Sequence, residues 1–228
     1  MSRRSAALVD RSAALLAEAC GCRFVREATE GTLSAGDFAR YLLVEEAFVL
    51  TASRVLGRVV WESASWEDLL PHARSLTNLV TDQRAYFTAL RGRWPLAPGE
   101  EGAVLDRAAV LSATVLVQVA EGGRPAALAG MLAAETMYAR WCTTAAAAPA
   151  EVAHRRHPDL QAWIDLHTAA DFLAQVAALE AAVDALGPEE ADDQQLDRWF
   201  GAVLRAEIGF HDAVHGWDGP PAGSRREP

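Results

Sequence analysis

The chain reads as an all-α helical bundle. Apolar residues recur at three- and four-residue spacing over several turns in most of its length. No stretch alternates apolar and polar residues as a half-buried strand would. Stop signals such as Gly122-Gly123 and Gly187-Pro188 cut the pattern into segments of helical length. The 228 residues fit one large domain, and no repeat of fixed period is evident. The expected organisation is a single domain over 1–216 with about seven helices, followed by a loose Gly-, Pro- and Arg-rich tail at 217–228.

Leu8, Leu15 and Leu16 head a first helix predicted to end near Cys20-Gly21-Cys22. Phe24 to Gly31 reads as a connection. Ser34 is placed to cap a second helix with Asp37 in its first turn, running to about Val60. Trp61 to Trp66 reads as a turn. A third helix is expected from about Trp66 to Arg93, with a kink or a separate first turn at Pro71. Residues 93–99 read as a loop by their Pro and Gly content. A fourth helix spans about Glu101 to Ala120, and Pro125 starts a fifth that reaches about Ala147. His154 and His157 fall in a short basic surface link. A sixth helix is expected from about Leu160 to Leu186, and a seventh from about Asp193 to His215.

Composition narrows the function. With 51% hydrophobic residues the chain can bury a sizeable core. Its net charge of -10 argues against nucleic acid or an anionic membrane surface as partner. No uninterrupted apolar run approaches the ~20 residues that span a bilayer. All 21 basic residues are Arg, so a Schiff-base lysine and a phosphate-loop lysine are excluded. Cys20, Cys22 and Cys142 form neither a disulfide framework nor a zinc set, and the start has no export-signal pattern. A reduced, cytoplasmic protein is the expectation.

The informative residues are acids lying on apolar stripes. Glu45 sits among Phe38, Tyr41, Leu42, Phe48, Val49 and Ala52. Glu135 sits among Leu128, Met131, Leu132, Tyr138 and Cys142. Glu207 sits among Phe200, Val203, Leu204, Phe210, His211 and Val214. An unpartnered buried polar group costs roughly 2–7 kcal/mol, and a bare carboxylate more. Three such acids on three core-facing stripes therefore predict an acidic pocket inside the bundle. Such a pocket suits an amine-bearing ligand and proton transfer, or a pair of metal ions.

The order and spacing of several short elements resemble the thiaminase II, or TenA, family. These are Phe24-Val25, Gly31-Thr32-Leu33, Phe38-x-x-Tyr41 leading to Glu45, His157-Pro158, Trp163-Ile164-Asp165, Asp171-Phe172, and Glu207 followed by Phe210. The matches run from residue 24 to about 211. The resemblance implies a haem-oxygenase-like all-α fold and an assembly of homo-oligomers, tetramer or dimer. It places Glu45 where the family holds an aminopyrimidine with Asp, and Phe48 where an aromatic lines the site. Glu135 stands at the position of the nucleophilic Cys, as in a second branch that carries Glu there. Glu207 matches the late catalytic Glu, and Phe210 a ring packed on the pyrimidine. Family Tyr positions correspond to Ser112 and His167. Tyr138 stands for the aromatic after the nucleophile with the register moved by one. Cys142, two turns beyond Glu135, reads as a buried inert thiol.

The expected activity is hydrolysis of an amine or amide on a thiamin-derived aminopyrimidine, with Glu135 and Glu207 as acid–base pair. Glu45, Phe48, Ser112, Tyr138, His167 and Phe210 are the expected binding residues, and no cofactor is implied. Two alternatives stand beside this reading. One is an iron- or manganese-dependent oxidase on the same fold, with Glu45, Asp82, Glu135, Glu207 and His211 as ligands. The other is a binding protein without turnover.

Overall fold

The computed structural model describes residues 3–216, so the expected tail at 217–228 lies outside the described residues. Eleven α-helices are present among them. They are α1 (Arg4–Arg11), α2 (Ala13–Cys20), α3 (Arg23–Glu30), α4 (Ala35–Glu62), α5 (Trp66–Asn78), α6 (Arg84–Arg93), α7 (Glu100–Ala146), α8 (Ala150–Ala153), α9 (Pro158–Leu166), α10 (Ala170–Asp184) and α11 (Asp193–Asp212). No strand occurs among the described residues.

α7 is the spine, packed against α11 and α4, with α10 on a further side. It holds the fourth and fifth predicted helices. Between them Gly123 adopts φ 56° and ψ −141°, and the chain changes direction there. A Cβ at the preceding Gly122 would lie 2.4 Å from the Trp199 ring, so only glycine lets α11 approach this bend. Glu62 of α4 accepts from the Arg124 N–H at 2.8 Å and ties the bend down. One window of α7 is apolar enough by length and composition to cross a bilayer, although charged and polar residues interrupt its apolar runs. Within that helix Val104, Leu111, Leu128 and Leu132 are buried in the bundle core.

α4 begins as its sequence dictates. The Ser34 hydroxyl accepts from the Asp37 N–H at 3.1 Å, and Asp37 occupies the first turn. α11 opens on a reciprocal cap between Asp192 and Gln195.

Four segments depart from expectation. Residues 24–31 form the helix α3, not a connection. Phe24, Val25 and Ala28 bury one face of it, and Gly31 ends it at φ 69°. The first predicted helix is two, broken at Ser12. Arg4 and Arg11 bind Asp193 and Asp197 of α11 and Ser5 N–H binds Asp184 of α10, which anchors α1, while α2 packs on α11 and α7. The sixth predicted helix is also two, α9 and α10, parted at 167–169 although no Gly or Pro stands there. Pro71 lies within α5 without ending it. The irregularity comes later, as a π-helical turn at Leu79–Gln83 that joins α5 to α6.

Candidate active site

The three acid-bearing stripes meet around one cavity. α4 contributes Glu45 and Phe48, α7 contributes Glu135 and Tyr138, and α11 contributes Glu207 and Phe210. The π-helical turn supplies Leu79 and Gln83, and the end of α9 supplies Trp163 and His167. The break after α9 is thus where the chain turns a ring into the cavity: His167 Nδ1 lies 2.8 Å from the Trp163 carbonyl as the helix closes. Phe48 and Phe210 face each other with ring centroids 5.8 Å apart and planes at 60°, forming an aromatic wall.

Behind this wall runs a buried hydrogen-bond chain. Trp163 Nε1–H can only donate, and it donates to the Tyr41 hydroxyl at 2.9 Å. The Tyr41 and Tyr138 hydroxyls are 3.1 Å apart. Tyr138 in turn donates to Glu45 Oε1. The same hydroxyl is 3.3 Å from His211 Nε2. His211 Nδ1 lies 2.8 Å from the Glu207 carbonyl, which assigns the proton to Nδ1 and leaves Nε2 as an acceptor. Its ring is also 3.5 Å from Glu207 Oε2. The Tyr138 proton is committed to Glu45, so Nε2 lies beside this hydroxyl without receiving its hydrogen, and His211 holds the Glu207 backbone, not its carboxyl.

Burial dominates the proton affinities here. It pushes Glu45 up to about 7, against the pull of hydrogen bonds from Tyr138 and Tyr41. It pushes Glu135 up to about 7 as well, with the Glu45 charge adding and the Gln175 hydrogen bond opposing. Glu207 is raised well above the carboxylate range by burial, then by Glu45 and Glu135. Glu135 is the most open of the three: its carboxyl reaches the cavity, where Gln175 Nε2 donates to Oε1 at 3.2 Å. Burial lowers His167 and His211 to about 4, so both rings are neutral at physiological pH. The three carboxyls raise one another's proton affinity as a coupled set, with Glu45 and Glu135 each pushed to about 7. Glu207 Oε2 is buried without a hydrogen-bond partner.

Three expected site residues lie off the cavity surface. Ser112 accepts from the Thr51 hydroxyl at 3.0 Å between α7 and α4, and its neighbour Leu111 faces the cavity instead. Asp82 is exposed, because the extra residue of the π-helical turn presents Gln83. His211 is fully buried behind Tyr138 and does not reach the cavity surface. Among the described residues, no three of Glu45, Asp82, Glu135, Glu207 and His211 bring donor atoms within 4.8 Å of one another, so the alternative ligand set is not assembled. Cys142 is fully buried and burial raises its thiol pKa, as an inert core residue requires.

The sequence alone does not reveal Tyr41 and Trp163 as members of the buried hydrogen-bond chain, Gln83 as a polar wall group, or Gln175 as the donor to Glu135. Gln175 could have been found by the rule that found the acids. It sits with Phe172, Val176 and Leu179 on the stripe of α10 that turns inward.

A family model settles the ancestry: the TENA/THI-4/PQQC family model matches residues 21–215. The chain belongs to the TENA/THI-4/PQQC family. Solved members share its fold at low sequence identity. A TenA homologue from P. horikoshii OT3 superposes with a TM-score of 0.74 at 15% identity, over 93% of this chain and 98% of its own. A protein from Silicibacter sp. TM1040, described as a TenA family transcription regulator, gives 0.74 at 18%, over 94% and 98%. A putative TenA-like thiaminase from Sulfolobus solfataricus P2 gives 0.64 at 16%, over 91% and 93%. No curated protein sequence matches the chain. The haem-oxygenase-like all-α fold expected from the TenA resemblance is the one observed.

Proposed function

We propose that this TenA family member hydrolyses a carbon–nitrogen bond on a small aminopyrimidine of the kind that thiamin degradation releases. The supporting observation is the convergence of three carboxyls, each holding its proton at higher pH than a free carboxyl, on one aromatic-walled cavity. Among the described residues the wall carries no Lys or Arg, so it favours a donor-rich, basic ligand over an anion. The description of the Sulfolobus solfataricus neighbour as a putative TenA-like thiaminase fits a thiamin-related ligand.

This reading assigns the following roles. Glu45, held by Tyr138, accepts from the exocyclic amine and the protonated ring nitrogen of the pyrimidine. Phe48 and Phe210 enclose the ring. Glu207, its proton affinity raised by burial and by Glu45 and Glu135 and one of its oxygens buried without a partner, gives a proton to the leaving nitrogen. Glu135, at the open side of the cavity, takes a proton from water as its oxygen attacks carbon. An aminomethyl substrate yields a hydroxymethyl product and ammonia. A formylaminomethyl substrate yields the aminomethyl product and formate. A proton passed from Glu135 to Glu207 through water then resets the pair.

A mass-spectrometric turnover assay tests the proposal. Full-length protein is offered aminomethyl- and formylaminomethyl-pyrimidine. Turnover of at least one is expected, and Glu207→Gln is expected to lose most of it, with general acid catalysis contributing roughly 10²–10⁴-fold. No turnover of either by folded protein would overturn it.

A further inference from the structure

A second constellation lies at the far end of α11, outside the acidic cavity. Glu27 of α3, Asp37 in the first turn of α4 and His215 beyond α11 bring one donor atom each within 4.8 Å of one another. It is the one such group among the described residues. We propose that these three side chains form a binding site for a first-row divalent cation, zinc foremost, independent of the proposed hydrolysis.

The imidazole carries the argument. The His215 side chain is 7% exposed, and neither ring nitrogen has a hydrogen-bond partner among the described residues. A buried unpartnered ring nitrogen is costly, and the native fold must offset it. Nδ1 lies 3.4 Å from Asp37 Oδ1 and 3.9 Å from Glu27 Oε2. Those separations are long for hydrogen bonds. The Asp37 separation matches what a shared ion imposes, since tetrahedral bonds of about 2.0–2.1 Å set donors about 3.3–3.4 Å apart, and the Glu27 oxygen would move in by about half an ångström to join it. One imidazole and two carboxylates form a donor set that zinc accepts, with a water completing four ligands.

The outer groups are already in place. Arg40 donates to Asp37 Oδ1 at 2.6 Å and Ser34 Oγ to Asp37 Oδ2 at 2.6 Å. Arg23 donates to Glu27 Oε1 at 2.7 Å, leaving Oε2 turned toward the imidazole. Carboxylates that hold metals are usually oriented by such outer hydrogen bonds. The histidine is fixed by its own backbone: Arg107 donates twice to the Ala213 carbonyl, at 3.1 and 2.7 Å, and Arg40 donates to the Val214 carbonyl. Arg40 also pairs with Glu100 at 2.5 Å, so its charge is divided between two acids and does not neutralise Asp37 alone. An ion here would pin the end of α11, which carries Glu207 and His211, to α3 and α4.

The test uses full-length protein stripped with chelator. Zinc is titrated by calorimetry, and cobalt is titrated as a coloured probe by its visible absorption. One ion per chain is expected, with ligand-field bands typical of a nitrogen–oxygen site and a melting temperature that rises with metal concentration. His215→Gln and Glu27→Gln should each weaken binding by about tenfold or more. Circular dichroism of both variants checks that they fold. Glu207→Gln should leave the affinity unchanged. The proposal is overturned if wild-type protein binds no ion, if folded His215→Gln and Glu27→Gln bind as tightly as wild type, or if binding is lost in Glu207→Gln instead.

Discussion

Replacing Glu135 by Gln isolates the cost of holding a carboxylate in the cavity. Gln keeps the shape and still accepts from Gln175 Nε2, which lies 3.2 Å from Oε1 in the native protein. The folded protein raises the Glu135 pKa from 4.5 to about 7. A raised acid costs nothing below pH 4.5, where it is protonated in both folded and unfolded chains. Between pH 4.5 and about 7 the folded chain holds the extra proton, so its stability falls as pH rises through this window and then levels. About 2.5 units at about 1.4 kcal/mol each come to about 3 kcal/mol, an upper figure because water in the cavity screens the carboxyl. Glu135→Gln should therefore match wild type near pH 4.5 and exceed its unfolding free energy by about 1–3 kcal/mol at pH 8. Urea unfolding at the two pH values measures the difference. Equal stability at pH 8, or a variant less stable at pH 8 than at pH 4.5 relative to wild type, would refute the buried-acid account.

Tyr138→Phe removes the donor to Glu45, and hydrogen bonds to charged groups are worth about 1.5–3 kcal/mol. The Glu45 pKa should rise by about 1–2 units above its value near 7, as read by carboxyl-carbon NMR titration. An unchanged titration would show that Tyr138 does not hold the charge. His211, lowered to about 4, should stay neutral with its proton on Nδ1 down to about pH 5 in nitrogen NMR; protonation near pH 6.5 would contradict its burial. Gly31→Ala should destabilise the fold by more than about 1 kcal/mol. Its φ of 69° strains any L side chain, and the new Cβ would lie 2.9 Å from the Val152 carbonyl; thermal unfolding checks it.

Much of this architecture was legible because long amphipathic helices announce themselves. α4 is marked by Ser34 and Asp37 at its start, and the two halves of α7 by Gly122-Gly123. The acids were legible because a carboxyl on an apolar stripe contradicts the stripe. Short helices were not. In α3 four charged residues outnumber the buried Phe24, Val25 and Ala28, and eight residues hold too few turns to show a period. Ser112 and Leu111 differ by one position, which on a helix is about 100° of rotation. Choosing between them required knowing how α7 is rotated against α4. Asp82 and Gln83 differ likewise, but there the π-helical turn inserts a residue that no local signal foretells. The break between α9 and α10 has no Gly or Pro, and it places His167 against Trp163 and Tyr138, with ring centroids 4.2 and 5.1 Å apart. Tertiary packing sets that break. The family resemblance reached the right fold because it rested on element order, which survives at 15–18% identity to solved relatives.

The most direct test of the central claim runs the formylaminomethyl- and aminomethyl-pyrimidine reactions in heavy-oxygen water and weighs the products. The account predicts one heavy oxygen in the formate or the hydroxymethyl product, delivered by water that Glu135 activates, and loss of the labelled product in Glu207→Gln. Folded wild-type protein that forms no labelled product from either compound would contradict it.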